Sequence, residues 1–292
     1  MVLGIDIGGT FIKFGVIAGG EMLYQSKIPT GNGTCVSLLD NICMECERIR
    51  DKYPFKRVGV GVPGVMNNGL LTATNLPFKN TPLRKELENR LYLPVRVEND
   101  ANCAALGEAV CGKGKAYHNM ILVTLGTGIG GGVIVDKKIL SGRGGAGEIG
   151  HMIIQSENGI LCPCGQKGCW EQYASAGAFV RQAEEAAKDN PESILGRIIK
   201  KEGSLNGHLV FEAVGADCPV ALHVFDTYLT YLSIGLKSLK NIFDPEIILL
   251  SGGITGQGDA LLMPLNQKLG NLVRVEIATL QNDAGVFGAA NL

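Results

Sequence analysis

Two segments of the chain, residues 2–18 and 120–135, each have the pattern of a strand, a glycine-rich turn and a second strand. Such runs of β-branched residues around glycine predict hairpins. A third apolar strand, at residues 246–250, also ends in glycines, Gly252 and Gly253. Because helical stretches separate these strands, the pattern indicates a duplicated α/β unit that binds a ligand between its halves.

The length of the chain predicts two lobes, because 292 residues exceed the ~100–200 that are usual for one domain. A polar, glycine-rich crossing is expected near residues 111–117. The predicted lobes are residues 1–113 and 114–283, and the small-residue helix at 284–292 is expected to pack back on the first lobe. The remaining periodicity predicts helices over residues 35–52, 82–91, 101–111 and 220–243.

The charge and the hydropathy of the chain argue against two classes of partner, nucleic acid and membrane. The chain has 27 Lys+Arg against 28 Asp+Glu, whereas binding to nucleic acid requires a concentrated basic surface. The first residues enter a strand without a basic leader, and no apolar run reaches the ~18 residues of a membrane span. We therefore expect a cytoplasmic enzyme that binds neither nucleic acid nor membrane.

The nine cysteines divide into two groups. An odd number without a signal peptide argues against a disulfide framework. Six of them are expected to be ordinary packing residues because they fall in apolar or helical stretches. These six are Cys35, Cys43, Cys46, Cys103, Cys111 and Cys218. The spacing of Cys43 and Cys46 resembles a redox pair, but it falls within a predicted helix.

The other three cysteines form the pattern H-x10-C-x-C-x4-C with a histidine. The four residues are His151, Cys162, Cys164 and Cys169. Three thiolates and one imidazole are a standard tetrahedral set for zinc. Pro163, Gly165 and Gly168 allow the loop to turn tightly around one ion. Because four protein ligands leave no open position for water, the sequence predicts a structural Zn²⁺.

The first glycine turn has the features of a phosphate-binding loop. Gly8 and Gly9 allow backbone amides to face an anion without an intervening Cβ. Thr10 adds a hydroxyl donor and Lys13 adds positive charge. Asp6, at the end of the strand, can hold Mg²⁺ through water. A simple hairpin turn also uses Gly-Gly, so this segment alone leaves both interpretations open.

The second glycine turn, residues 125–132, superficially fits the dinucleotide-binding fingerprint. That fingerprint requires a helix to follow, whereas residues 133–135 continue as a strand. A pair of glycine hairpins, each with a threonine, is better explained as two clamps on a polyphosphate chain.

Three segments resemble the phosphate-1, phosphate-2 and adenosine motifs of the actin–hexokinase–Hsp70 superfamily. They are residues 6–13, 127–132 and 251–253. The resemblance implies an α/β class chain with a two-lobed actin-like ATPase (ribonuclease H-like) fold, with nucleotide and sugar in the interlobe cleft. It also implies that nine residues bind ATP and its phosphates: Asp6, Gly8, Gly9, Thr10, Lys13, Thr127, Gly128, Gly252 and Gly253.

A second resemblance is more specific. Residues 147–151 and 162–171 resemble the signature of the ROK family (repressor, open reading frame, kinase), and the similarity covers essentially the whole chain. It implies that Glu148, His151 and Glu171 contact a sugar. Zinc on one ring nitrogen of the histidine would fix the tautomer and leave the other nitrogen as a donor to a sugar oxygen.

Residues 98–102, with the sequence Glu-Asn-Asp-Ala-Asn, lie where a predicted strand ends and a helix begins. An isolated aspartate there is most often a helix cap. The family resemblance instead implies that Asp100 is the catalytic base and that Asn99 contacts the sugar. Residues 62–64 and 75–77 resemble further sugar-contact segments, which adds Gly64 and Asn75.

The resemblance implies an ATP-dependent hexose kinase that phosphorylates the 6-hydroxyl, with glucose as the expected substrate and Mg²⁺ as the metal that accompanies ATP. N-acetylmannosamine or N-acetylglucosamine is the alternative substrate, and a non-catalytic sugar sensor is the alternative function. A repressor of this family carries a DNA-binding domain before the first strand, and here we expect none. A homodimer is expected from the resemblance alone.

Overall fold

The computed structural model describes residues 1–73, 75–270 and 272–292. Its strands are β1 Val2–Ile7, β2 Phe11–Ala18, β3 Glu21–Pro29, β4 Val58–Val62, β5 Val65–Asn67, β6 Leu70–Thr72, β7 Val95–Asn99, β8 Met120–Leu125, β9 Ile129–Val135, β10 Lys138–Ile139, β11 Ile247–Ser251 and β12 Val275–Ile277. Its helices are α1 Cys35–Arg50, α2 Leu83–Leu91, α3 Asp100–Val110, α4 Glu171–Ala174, α5 Ala176–Asp189, α6 Ile194–Glu202, α7 Gly207–Gly215, α8 Pro219–Phe243, α9 Asp259–Leu269 and α10 Ala284–Ala290.

The chain divides into two compact units. The first unit contains Met1–Leu122, Gly132–Gly147 and Ala278–Leu292, and the second contains Val123–Gly131 and Glu148–Ile277. The expected crossing at residues 111–117 includes one turn of 3₁₀ helix, Lys113–Ala116. The lobes predicted from the sequence, with their boundary at residue 113, stay a prediction.

The first sheet has the strand order β3-β2-β1-β4-β7. Strands β1 and β2 form the predicted antiparallel hairpin, in which Asp6 pairs with Lys13. Strands β4 and β7 both run parallel to their neighbours, in the order β1, β4 and β7. Because the carboxyl ends of parallel strands meet at one edge, the residues that follow β1, β4 and β7 share that edge of the sheet.

The core of the first unit is made by alternating apolar residues of the central strands. Leu3, Ile5 and Ile7 of β1 are fully buried and belong to one cluster with residues of α1. Helix α10 packs against β1 and α3. A Cβ atom at Gly4 would lie 2.2 Å from the carbonyl oxygen of Val286, so the close approach of this helix to β1 requires glycine.

The cysteines of α1 lie where the sequence predicted a helix. Cys46 is buried and Cys43 is half-buried, and both are free thiols. Burial raises the pKa of the Cys43 thiol to about 11 and raises the pKa of Cys46 further. Because a reactive cysteine requires a lowered pKa, the pair has the character of packing residues.

The second sheet has the order β10-β9-β8-β11-β12. The helices α4 to α9 belong to the second unit, and the 25-residue α8 begins with Pro219 in its first turn. In the part of the chain that the structure describes, no single helix has both the length and the apolar character of a membrane span. Helices α7 and α8 meet that test only as a pair, and the pair is bent by 118°.

Candidate functional site

The turn of the first hairpin connects β1 to β2 at the sheet edge described above. The Gly8 amide donates to the Phe11 carbonyl at 3.0 Å, and the Thr30 hydroxyl donates to the Gly8 carbonyl at 2.7 Å. Gly9 and Thr10 are exposed, and a Cβ atom at Gly9 would meet nothing within 4 Å. The turn is thus held from one side, while Gly9 and Thr10 face solvent.

Asp6 and Lys13 face each other across the hairpin, 4.0 Å apart. The Lys13 ammonium also donates to the carbonyl oxygen of Asn282 at 2.6 Å. Burial raises the pKa of Asp6 to about 6, the positive charge of Lys13 opposes that shift, and the negative charge of Asp100 adds to it. Two carboxylates that interact electrostatically at one sheet edge can attract a divalent cation.

Asn99 and Asp100 lie at the junction of β7 and α3. The Asn99 side chain is the N-cap, since its Oδ1 accepts from the amides of Ala101 at 2.9 Å and Asn102 at 3.2 Å. Asp100 Oδ1 also accepts from the Ala101 amide, at 2.9 Å. Burial raises the pKa of Asp100. Because Asn99 caps the N-terminus of α3, the second carboxylate oxygen of Asp100 is not needed as a cap.

Gly64 and Asn75 belong to the segments that follow β4. Gly64 has φ of +129°, and a Cβ atom there would lie 2.5 Å from the carbonyl oxygen of Thr72. Both features require glycine at this position. Asn75 is exposed. The first unit therefore contains these two residues together with Asp6, Asn99 and Asp100.

The predicted zinc ligands form one cluster in the second unit. The ligand atoms of His151, Cys162, Cys164 and Cys169 all lie within 4.8 Å of one another. Cys164 Sγ is 3.6 Å from Cys169 Sγ, and Cys162 Sγ is 3.6 Å from His151 Nδ1. Zinc–sulfur bonds of about 2.3 Å place two sulfurs of a tetrahedron about 3.8 Å apart. The donor set and its spacing therefore fit a zinc ion.

Tight turns and a buried tryptophan hold this loop. Gly165 and Gly168 have φ of +91° and +87°, as the sequence analysis expected of a tightly turned loop. The indole of Trp170 is fully buried, donates to the Tyr231 carbonyl at 2.9 Å, and packs on α8 where a Cβ atom at Gly235 would lie 2.0 Å from the ring. The cluster is thus fixed to the long helix of its unit.

The two ring nitrogens of His151 face different neighbouring residues. Nδ1 faces Cys162, whereas Nε2 lies 3.9 Å from a carboxylate oxygen of Glu148. Glu171 Oε1 is 3.9 Å from His151 Nδ1, and its Oε2 lies 3.4 Å from the Ile129 amide. The three residues that the ROK resemblance implied as sugar contacts are therefore adjacent in the second unit.

Glu171 also explains the glycine at position 128. A Cβ atom at Gly128 would lie 2.4 Å from the Glu171 carboxylate. The turn is closed by the Gly126 amide, which donates to the Gly128 carbonyl at 3.0 Å. The second glycine turn and the loop of the His/Cys cluster thus meet through one carboxylate.

A cavity of about 600 Å³ in the second unit brings together two motifs that are far apart in sequence. Thr127, from the second glycine turn, and Gly253, after β11, both line it. Pockets for small ligands commonly have volumes of ~300–1,000 Å³. The adjacent Gly252 has φ of +104°, and a Cβ atom there would lie 2.3 Å from the Leu125 carbonyl.

Other residues of this cavity were not predicted from the sequence. They come from α5, from α7 and from the turn before α7, and they include Ala176, Gly177, Val180, Asn206 and Phe211. Asn206 is the N-cap of α7 and accepts from the Leu209 amide at 3.0 Å. The Asn-Gly pair at 206–207 is a helix-start signal that predicts this cap, but no local pattern predicts that it lies beside Thr127.

Comparison with known proteins gives the family. The ROK family profile matches residues 2–292, and the chain belongs to the ROK family. It is 38% identical to the glucokinase of Streptomyces coelicolor, over 100% of this chain and 97% of the relative. It is 31% identical to the N-acetyl-D-glucosamine kinase of Salmonella newport, over 100% and 99%.

The solved structures agree with the family assignment. A ROK family glucokinase from Streptomyces griseus, in complex with glucose and AMPPNP, superposes with a TM-score of 0.82 at 35% identity, covering 99% of this chain and 98% of that one. The two-lobed actin-like ATPase fold predicted from the glycine motifs is thereby confirmed.

Proposed function

We propose that this chain is an ATP-dependent hexose kinase that transfers the γ-phosphoryl group of ATP to the 6-hydroxyl of glucose. The observation that carries the proposal is the similarity over the whole chain to proteins that are glucokinases, one of them in complex with glucose and AMPPNP. The arrangement of acidic and glycine residues supports the same chemistry.

Asp100 is the proposed catalytic base. Its backbone turn is held by the Asn99 cap, and burial raises its pKa, which makes its carboxylate a stronger proton acceptor. It would take the proton of the sugar 6-hydroxyl as that oxygen attacks phosphorus. Asn99, Gly64 and Asn75 are proposed to contact neighbouring hydroxyls, since a buried sugar hydroxyl without a partner costs a few kcal/mol.

The ATP phosphates are the proposed ligands of both glycine turns. In the first unit these are Gly8, Gly9, Thr10 and Lys13, with Asp6 to hold Mg²⁺ through water. In the second unit they are Thr127 and Gly128, while Gly252 and Gly253 would contact the adenosine. Phosphoryl transfer depends chiefly on positioning and on neutralising charge, which is what amides, a lysine and a magnesium ion provide.

The cluster of His151, Cys162, Cys164 and Cys169 is proposed to hold a structural zinc. When bound, the ion fixes the loop and the histidine tautomer and takes no part in the transfer. His151 Nε2, on the side away from the cysteines, and the carboxylates of Glu148 and Glu171 are the proposed contacts to sugar hydroxyls.

Two further proposals concern assembly and location. A homodimer is proposed from the family resemblance alone, and a cytoplasmic location is proposed from the sequence pattern of the first residues and from the hydropathy of the chain. Size-exclusion chromatography with light scattering tests the first, and fractionation of cells that express the native chain tests the second.

An N-acetylhexosamine is the second candidate substrate. Its support is the 31% identity, over 100% of this chain, with an N-acetyl-D-glucosamine kinase. Both substrates present the same 6-hydroxyl, and they differ at C2, so the space near that carbon decides between them.

Coupled ADP release with Mg–ATP tests the proposal across glucose, mannose, fructose, allose, glucosamine, N-acetylmannosamine and N-acetylglucosamine. We expect the highest kcat/KM with glucose, and a ~10²–10⁴-fold loss of kcat in Asp100→Asn. Asp189→Asn, an exposed aspartate at the end of α5, is the matched control and should retain full activity. Highest kcat/KM with an N-acetylhexosamine would support the second candidate, and sugar binding without ADP release would support a sensor.

A further inference from the structure

Glu98 is an acidic residue that has no role in the proposed transfer of the phosphoryl group. It is the penultimate residue of β7 and lies opposite Gly61 of β4. Glu98 lines a cavity of about 920 Å³ within the first unit. It is two residues before Asp100, and its carboxylate accepts hydrogen bonds from Asn99, Asn102 and Ser141.

One oxygen of this carboxylate holds the junction between β7 and α3. Glu98 Oε1 accepts from the Asn99 backbone amide at 2.9 Å and from Asn102 Nδ2 at 3.0 Å. The other oxygen, Oε2, has a long contact with the Ser141 hydroxyl, at 3.5 Å. Hydrogen bonds to an ionised acceptor are about twice as strong as neutral ones.

Asn102 completes the arrangement from within the helix. Its side chain is 4% exposed, and its backbone amide donates to the Asn99 cap. Because an ionised carboxylate only accepts, the Nδ2 of Asn102 must be the atom that faces Glu98. Its Oδ1 is buried and has no hydrogen-bond partner among the described residues.

We propose that Glu98 is a positioning residue for the catalytic base: through its Oε1 it holds Asn99 and Asn102 and thereby fixes the direction of Asp100 between them. This rests on the proposed kinase function and deepens it. Asn99, directly before Asp100, and Asn102, two residues after it, are held by the same oxygen, while the Asp100 carboxylate has the Ala101 amide as its backbone partner. Without Glu98, the Asn102 side chain loses its hydrogen bond to the strand, and the Asn99 amide loses its side-chain acceptor.

The proposal predicts a particular pattern of kinetics. Glu98→Ala should lower kcat by about 10- to 100-fold, because a displacement of a base by a fraction of an ångström to 1 Å has an effect of this size. KM for Mg–ATP should change less than twofold. Glu98→Gln should restore kcat to within about threefold of the parent, because its amide oxygen can still accept both hydrogen bonds.

Two further variants separate this role from general stability. Asn102→Ala removes one of the two hydrogen bonds and should lower kcat about three- to tenfold, the equivalent of one hydrogen bond. Ser141→Ala removes only the contact to Oε2 and should leave kcat unchanged. Thermal unfolding of each variant identifies any that does not fold, and Asn102→Ala then carries the test in place of Glu98→Ala.

The results distinguish this proposal from the proposed function. If the parent chain shows no hexose-dependent ADP release, the kinase function fails and the positioning role fails with it. If the parent is active and folded Glu98→Ala, or in its place Asn102→Ala, keeps its kcat within twofold, the positioning role alone is wrong. If Glu98→Gln loses as much activity as Glu98→Ala, the negative charge matters and the proposed hydrogen-bond mechanism is overturned.

Discussion

The ammonium nitrogen of Lys13 lies 4.0 Å from the carboxylate of Asp6, the residue with which it pairs in the β1–β2 hairpin. Burial nevertheless dominates, and it raises the pKa of Asp6 to about 6. The nearby Asp100 adds to this shift. The fold therefore holds an acidic group whose ionised form is disfavoured, and a cation bound beside Asp6 would favour that ionised form.

This relationship gives a pH dependence with a definite sign. Between pH 4 and pH 6 the folded state holds a proton on Asp6 that the unfolded state has released, since the ordinary pKa is 3.8 and the folded value is about 6. Asp6 therefore lowers the free energy of unfolding as the pH rises through this window. The free energy of unfolding of Asp6→Asn minus that of the parent should therefore increase between pH 4 and pH 7, by on the order of 2 kcal/mol.

Urea unfolding at both pH values in magnesium-free buffer measures this difference. Asp189→Asn serves as the control because that aspartate is exposed and should give parallel changes in variant and parent. A difference between parent and Asp6→Asn that is the same at pH 4 and pH 7 would contradict the raised pKa.

The cysteine cluster predicts a loss of metal and stability when one ligand is changed. Cys164 is the exposed member, so Cys164→Ser leaves no cavity and its effect reports the metal alone. We expect zinc to fall from one per chain to a small fraction, and the midpoint of thermal unfolding to fall by on the order of 10 °C, because binding free energy of a structural zinc is folding free energy. Cys35→Ser, outside the cluster, should change neither. Elemental analysis and calorimetry provide the two measurements, and unchanged zinc content would rule out this ligand set.

Glu108 predicts a stability effect unrelated to the active site. Its carboxylate is fully buried in α3, where Oε2 accepts from the Lys113 amide at 3.0 Å and the Thr279 hydroxyl at 3.2 Å, and Oε1 accepts from the Leu280 amide at 2.5 Å. In Glu108→Gln, one oxygen becomes an NH₂ group that faces a donor. We expect a loss of about 2–4 kcal/mol in the free energy of unfolding.

The control for this change is Glu185→Gln, at an exposed position of α5. It should alter stability by less than about 0.5 kcal/mol, as surface substitutions usually do. Equal urea midpoints for the two variants would show that the buried contacts of Glu108 contribute nothing net.

The sequence predicts those structural features that depend on patterns of neighbouring residues. Hairpin β1–β2 follows from β-branched runs around Gly8-Gly9, and the metal cluster follows from the spacing of Cys162, Cys164 and Cys169. The three-residue strands β5 and β6 were not predicted, because so few residues carry no periodicity. Helices α5 and α6 were also missed, although Ser175 and Ser193 are N-caps of the kind that begins a helix.

Contacts between distant segments account for the rest. The carboxylate of Glu108 accepts hydrogen bonds from Thr279 and Leu280, which lie 171 and 172 positions further along the chain. No local pattern specifies such distant partners. The role of Glu98 depends on side-chain hydrogen bonds within residues 98–102, a segment that the sequence motif identifies. The motif does not say which polar residues of this segment bind substrate and which position their neighbours, because that depends on the three-dimensional geometry. Sequence motifs therefore locate the site, whereas tertiary contacts determine the role of each residue in it.

Gly252 tests whether the turn after β11 contacts the nucleotide. Its φ of +104° is disfavoured for any side chain, and a Cβ atom would lie 2.3 Å from the Leu125 carbonyl. Gly252→Ala should therefore displace the turn after β11 and raise KM for Mg–ATP about tenfold or more, since a shift of the adenosine contacts weakens binding of ATP. Gly256→Ala, in the same turn, has no atom within 4 Å of the new Cβ and should leave KM unchanged. If the two variants have the same KM for Mg–ATP, this turn does not contact the nucleotide, and the adenosine assignment of Gly252 and Gly253 must be abandoned even if the chain phosphorylates glucose.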